Sequence, residues 1–131
     1  MKPLFSLGTS NRSFEEFLNI LKKFAIQRVI DIRRFPTSRF SHFKKDVLKD
    51  LLKKENIEYI YLGKLLGGYR RQGYIAFMET EEFKKGLERL KKLAKEKRSV
   101  IICCERFYFK CHRRFVASKL EKDFEIIHLL E

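Results

Sequence analysis

Two rhythms of apolar residues alternate along the chain: short, nearly continuous apolar runs, and longer stretches in which apolar residues return every three or four positions. The run "PLFSLG" ends at Gly8 and leads through "TSNRS" into "FEEFLNILKKF", where Phe14, Phe17, Leu18 and Leu21 recur at helical spacing. Ser13 followed by Glu16 is a capping-box pair, which sets the helix start and leaves residues 8–12 as a loop. "RVIDI" is a second, β-branched run whose near-continuous apolarity suits a sheet covered on both faces. After the loop "RRFPTSRFSHF", Val47, Leu48, Leu51 and Leu52 mark a second helix, and "IEYIYLG" is a third strand ending at Gly63.

A Gly-rich, basic and aromatic segment, "KLLGGYRRQGYIAFMET", precedes a third helix striped by Phe83, Leu87, Leu90 and Ala94. Glu81 and Glu82 favour the positive end of its dipole. "SVIICC" reads as the fourth strand, "CHRRFVASKLEKD" as the fourth helix and "FEIIHLL" as the fifth strand. Strands alternating with helices predict an α/β fold: a single domain over residues 1–131, with a mostly parallel five-stranded sheet flanked by helices and an order the sequence leaves open. No repeat, low-complexity segment or linker divides it. Ligands of open α/β sheets bind at strand carboxyl ends, which here are Gly8 to Arg12, Asp31 to Arg34, Gly63 and Cys103 to Glu105.

Charge changes the picture next. Thirty Lys and Arg against 17 Asp and Glu give a net charge of +13, an imbalance that internal ion pairing cannot absorb, so an anionic partner is expected. No apolar run is long enough to span a bilayer, and the start is too polar after Leu7 for a secretory segment, so the reading is a cytosolic protein with no membrane partner. Three cysteines without a secretory context argue for reduced thiols, metal ligands or core residues. The Lys- and Glu-rich, Gln-poor composition looks thermophilic, however, and thermophiles admit internal disulfides, so a Cys104–Cys111 bridge stays open.

With these blocks in view the chain resembles, over essentially its whole length, the domain-of-unknown-function family four-eight-eight of small prokaryotic α/β proteins. The resemblance rests on "GTSNRSFEEFL", "VIDIRRFPTSRF", "EYIYLGKLLGGYR", "GYIAFMETEEF" and the "CCE…CHRR" stretch, in that order. It implies the fold and assigns no activity. Relatives commonly carry a small residue where this chain has Cys103, so the resemblance directs attention to Cys104 instead.

The densest chemistry is "CCERFYFKCHRR". Cys103 and Cys104 must point to opposite faces of the sheet, so at most one of them shares the rim with Glu105. Cys111, near a helix start with Arg113 and Arg114 close by, has surroundings that favour thiolate, while the plain alternative makes all three cysteines small buried hydrophobes. A strand ending in Cys, then a loop, then an Arg-bearing helix is also the layout of cysteine phosphatases and sulfurtransferases. Their anion cradle wants glycine, whereas "ERFYFK" has none and places Lys110 where the phosphatase pattern requires arginine. Cys104, Cys111, His112 and His42 are zinc-ligand types without zinc-site spacing, so neither a metal nor a cofactor is expected.

The remaining candidates suit an anion. Thr9, Ser10, Asn11 and Arg12 follow a strand and precede a capped helix, and Arg33 and Arg113 are expected at the same rim. Asp31, inside an apolar strand, needs a partner among Arg12, Arg33 and Arg113; a structural ion pair is the first reading and general acid–base catalysis the second. "RRFPTSRFSHFKK" and "GGYRRQGY" interleave arginine with Phe and Tyr, a mixture suited to phosphates and stacked bases. The expectation is therefore a basic cleft that binds nucleic acid or a nucleotide through Thr9, Ser10, Asn11, Arg12, Arg33 and Arg113. Any hydrolytic or transfer chemistry there would use Glu105 or Asp31 as acid or base, assisted by His112, Cys104 or Cys111. Two alternatives are a non-catalytic nucleic-acid module acting through its whole cationic face, and a thiol-based sulfur-transfer or redox protein.

Overall fold

A computed structural model describes residues 1–130. Strands β1 (Pro3–Gly8), β2 (Arg28–Asp31), β3 (Glu58–Tyr61), β4 (Ser99–Cys103) and β5 (Glu125–His128) form one sheet in the order β3-β2-β4-β1-β5. Every neighbouring pair is parallel. Helices α1 (Phe14–Lys23), α2 (Lys45–Lys53), α3 (Gly63–Leu66), α4 (Tyr74–Phe77), α5 (Glu81–Glu96) and α6 (Arg113–Ser118) supply the crossovers that parallel neighbours require. None of them is long and apolar enough to cross a membrane.

Strand period and helix stripe explain how the sheet is covered. On one face Phe5, Leu7, Val29, Val100 and Ile102 meet Phe17 and Leu21 of α1 and Leu48 and Leu52 of α2. On the other, Leu4, Ile30, Ile101 and Cys103 meet Leu66, Phe83, Leu90 and Val116 from α3, α5 and α6. Both faces of β2 and β4 are thus dry, which is why these strands read as unbroken apolar runs. At the start of α1, Ser13 Oγ accepts from the Glu16 amide and Glu16 accepts from the Ser13 amide, completing the expected capping box.

Where helices are short, the boundaries differ from the sequence reading. The helix expected over residues 111–123 is α6, Arg113–Ser118 only, preceded by a 3-10 turn at Tyr108–Lys110. The aromatic segment after β3 holds two single-turn helices, α3 and α4, around the loop at residues 67–73. Neither is long enough to show a periodic stripe.

The connectivity creates a crevice. β1 and β2 send their chains to the helices on one face, whereas β4, lying between them, sends its chain to α6 on the other. Loops diverging from adjacent strand ends leave a gap on both sides of the β4 terminus, the usual ligand position in this class of sheet. The gap is bounded closely: Thr9 N donates to Cys103 O (2.7 Å) and Ser10 N to Cys104 O (2.8 Å), so the β1 loop continues the ladder past the strand.

Gly8 stands where the two loops cross. A Cβ on it would fall 1.8 Å from Glu105 O and 2.8 Å from Arg106 Cα, both backbone atoms that cannot swing aside. Gly8→Ala is therefore expected to cost about 3 kcal/mol or more of stability, the upper range for overpacking. Urea unfolding monitored by circular dichroism measures it; a loss under about 1 kcal/mol would mean the loops part easily.

Candidate functional site

The β4 terminus, Cys103 to Glu105, forms the inner wall of a cleft of about 360 Å³ whose other walls include Arg33, Arg34, Tyr69, Lys110, His112 and Arg114. Cys104 and Glu105 also border a second depression on their other side, with Thr9, Ser10, Asn11 and residues 37–40. The segments beginning at Gly8, Asp31 and Cys103 thus end side by side, because β1, β4 and β2 are neighbours in the sheet.

Asp31 lies one residue beyond the apolar heart of β2, completely buried. Its Oδ1 accepts from the Arg33 backbone N (3.0 Å) and Nε (2.9 Å), and its Oδ2 accepts from Arg33 Nη2 (2.8 Å) and Tyr59 Oη (2.5 Å). A bidentate guanidinium, a phenol and an amide take up its four lone-pair sites, the arrangement of the structural ion pair that was the first reading. Burial and the Asp31 charge raise the Tyr59 pKa and keep its proton on the phenol. Arg33 is the partner chosen from the three arginines considered, and its charge is spent on Asp31.

Arg113 differs. Its side chain is 1% exposed, and Nη2 donates to Glu105 O (3.2 Å) and, at longer range, to Arg106 O (3.4 Å). Nε and Nη1 are buried without hydrogen-bond partners, and among the described residues no carboxylate lies within ion-pair distance. Burial, then the neighbouring Arg12 charge, lowers its pKa to about 10, still well above neutrality. Arg12 is also buried and donates through Nε to Gly8 O (2.9 Å). Thr9 is buried, Ser10 adopts a left-handed backbone (φ 50), and Asn11 Oδ1 accepts from Arg106 Nη2 (3.3 Å), tying the β1 and β4 loops together.

The thiols and the histidine depart from expectation. Cys103 Sγ, not Cys104 Sγ, is disulfide-bonded to Cys111. Strand parity is the reason: Cys103 shares a face with Ile101, the face on which the α6 segment packs, and Cys104 points the other way. Cys111 is therefore no free thiolate. Cys104 is free and exposed at the rim, but desolvation raises its thiol pKa against the opposing pull of Arg33, so it is protonated at neutral pH. His112, considered as an assisting group for chemistry, donates through Nε2 to the backbone carbonyl of Ile32 (2.8 Å). Burial, with Arg113 and Arg70 nearby, lowers its pKa and keeps it neutral. Glu105 is exposed and is the one expected acid with access to both depressions.

Sequence reasoning passed over several rim residues. Arg34, Tyr69, Lys110 and Arg114 line the cleft; the sequence marked them only as members of the basic, aromatic segments and of the thiol stretch, with no individual place in the ligand set. Arg34 Nη1 donates to Tyr69 O (2.6 Å), a contact across 35 positions that no local pattern reveals. His128, in β5, shares a hydrogen bond with Ser6 Oγ (2.8 Å) and stacks on Tyr108 at 3.7 Å. No group of three His, Cys, Asp or Glu side chains among the described residues is placed to hold a metal ion.

A family model described as "Domain of unknown function DUF488" matches residues 13–120, and the chain belongs to that family. Comparison with curated proteins and with solved structures returns no match.

Two predictions follow from these environments. Asp31→Asn leaves the Arg33 guanidinium buried without its counter-charge and is expected to cost about 3–5 kcal/mol in denaturant unfolding; a loss below about 1 kcal/mol would show that Arg33 finds other partners. The second concerns acid. Burial, reinforced by Arg113, lowers the His128 pKa from 6.5 to about 4. Between those values the unfolded chain holds a proton that the folded chain does not, so stability falls as pH drops through that window and His128 has no effect above it. The slope is at most about 1.4 kcal/mol per pH unit, and His128→Gln should make it shallower. Melting temperatures from pH 7 to 5 check this, and equal slopes in both proteins would assign the acid sensitivity elsewhere.

Proposed function

We propose that this DUF488 protein, whose composition is of thermophilic type, is a cytoplasmic binding protein for a phosphate-bearing ligand, nucleic acid or nucleotide, held in the basic cleft beside the β4 terminus. One observation carries the reading: the charges lining that cleft do not cancel. Asp31 neutralises Arg33, which leaves Arg34, Lys110 and Arg114 facing Glu105 as the only acidic residue of the lining. Behind the wall, Arg113 adds a guanidinium with no carboxylate within ion-pair distance among the described residues. A charge held this close to low-dielectric protein is weakly screened, and a phosphate that also accepts guanidinium N–H bonds offsets it directly.

Binding, not turnover, fits the groups present. Asp31 is saturated with donors, the Cys111 sulfur is bonded to Cys103, and both Cys104 and His112 are held in their neutral forms. Glu105 stands at the rim with no paired base or nucleophile activated beside it.

The probes are ATP and a fluorescein-labelled 12-nucleotide single-stranded DNA, followed by calorimetry and fluorescence anisotropy. Arg34→Gln combined with Arg114→Gln is expected to weaken binding of at least one probe about tenfold or more, the scale of two charge-assisted contacts. Lys53→Gln combined with Lys95→Gln, at the ends of α2 and α5 remote from the cleft, is the equal-charge control and should change affinity less than about twofold. Equal losses from both pairs would assign binding to the general cationic surface, and absence of binding by either probe would remove the reading.

A further inference from the structure

The cleft is the middle member of a chain of three depressions. Cys104 and Glu105 border both the cleft and the depression beside Thr9 to Asn11. Arg34, Phe35 and Tyr69 border both the cleft and a further depression that runs on to Arg71 and Gln72. One tract therefore follows the carboxyl rim of the sheet, from the β1 loop past the end of β4 to the loop beyond β3.

Its chemistry repeats. The first depression holds Arg39 over the Phe40 ring (5.1 Å), the cleft holds Arg114 over Phe115 (4.5 Å), and the ridge leading to the third carries Arg34 over Phe35 (5.2 Å). Each stage of the tract thus offers a cation beside an aromatic face. The large aromatics here are also unusually open: Phe35 is 58% exposed, Tyr69 84% and Phe109 50%. Exposed rings of this size on a soluble chain ask for a partner that covers them.

Tyr69 is held in place at a cost. Its backbone is left-handed (φ 59), a conformation disfavoured for a bulky residue, yet its ring is not being tucked into the core. Arg34 Nη1 donates to the Tyr69 carbonyl (2.6 Å), and Tyr61 Oη donates to the Arg34 carbonyl (2.7 Å), so the ridge is braced from the sheet. Phe35 lies alongside, with ring centroids 6.1 Å apart. Across the cleft, Phe109 stacks on Phe107 at 5.5 Å and 20°.

We infer that the tract binds single-stranded nucleic acid, its arginines meeting successive phosphates and its exposed rings, Tyr69 and Phe109 foremost, stacking on bases. This rests on the phosphate-binding reading above and narrows it. A mononucleotide would use the cleft and leave the flanking depressions and the Tyr69 ridge idle. A duplex hides its base faces, so it could not cover the rings. An unpaired strand supplies both a repeated anion and repeated apolar faces, the two kinds of partner that the cations and rings of the rim call for.

The test measures anisotropy with labelled oligo-dT and oligo-U of 2, 4, 6, 9 and 12 residues, an abasic 12-mer of equal charge, a 12-base-pair duplex, and AMP as competitor. Affinity is expected to climb with length before levelling off, and the abasic strand and the duplex should each bind about tenfold or more weakly than dT12 or U12, whichever of these is the tighter. Tyr69→Ala and Phe109→Ala, both at exposed positions and checked for folding by circular dichroism, should each weaken binding of that strand about fivefold or more and leave the abasic strand unchanged. Affinity independent of length, or equal for base-bearing and abasic strands, or undisturbed by both ring substitutions, overturns the inference. In that event sensitivity to Arg34→Gln with Arg114→Gln still upholds the phosphate cleft, whereas indifference to that pair removes the cleft reading itself. A preference for U12 over dT12 names RNA as the source of the strand, and the reverse names DNA.

Discussion

The buried Asp31–Arg33 ion pair sets the geometry of the rim. A carboxylate with no solvent contact at the end of a central strand would be strongly destabilising alone, and it is tolerated because Arg33 meets both its oxygens and Tyr59 donates a third side-chain bond. Since Arg33 is only two residues beyond Asp31, the pair also fixes how the chain leaves β2. Everything carried by that exit follows: Arg34 turned to the Tyr69 carbonyl, Phe35 on the outer ridge, and Arg39 and Phe40 at the neighbouring depression. The ion pair thus acts through position, and it removes one positive charge from the cleft.

Arg113 shows the opposite solution to the same problem. It is as buried as Arg33, but its partners are the Glu105 and Arg106 carbonyls, which orient the guanidinium without cancelling it. The difference matters electrostatically. An ion pair presents little field beyond a few ångströms, whereas a guanidinium bonded only to carbonyl dipoles keeps its monopole, and poor screening lets that charge reach the rim. A net charge of +13 is a property of the whole surface; the selective neutralisation of Arg33 and not Arg113 converts part of it into a local feature.

The fold was largely legible because strands and helices differ in apolar period, and five runs with intervening stripes admit few arrangements other than a parallel α/β sheet. The capping box at Ser13 and Glu16 and the strand ends at Gly8, Asp31 and Cys103 are local signals, and local signals survive in sequence. What sequence withholds is contact between distant segments. Parity told that Cys103 and Cys104 oppose each other, but choosing which one meets Cys111 needs the face on which α6 packs, and that depends on the order of β4 and β1. His112 could not be matched to Ile32 O for the same reason. Tyr69 was legible as one aromatic of the "GGYRRQGY" segment, but the ridge it forms was not, because a left-handed tyrosine has no sequence signature of the kind that glycine supplies.

The disulfide bears on how such a rim stays assembled. Cys103 ends β4 and Cys111 precedes α6, so the bond closes the short loop that holds Glu105, Arg106 and the aromatics Phe107 and Phe109. That loop contains no glycine and little regular structure, only the single turn at Tyr108–Lys110. Its exposed rings gain nothing from the core, so their order must come from elsewhere: Arg113 bonds two of its carbonyls from beneath, and the cross-link limits the conformations its ends can reach. The stacking proposed above would benefit from such constraint, because rotamer and loop entropy removed on folding is not lost again on binding. The same cross-link pairs Cys111 with Cys103 and leaves Cys104, a protonated thiol beside Arg33, as the loop's free sulfur. Exposed rings beside Lys110 and Arg114 suit the binding proposed above, and they share this loop with the thiols that the alternative chemistry would use.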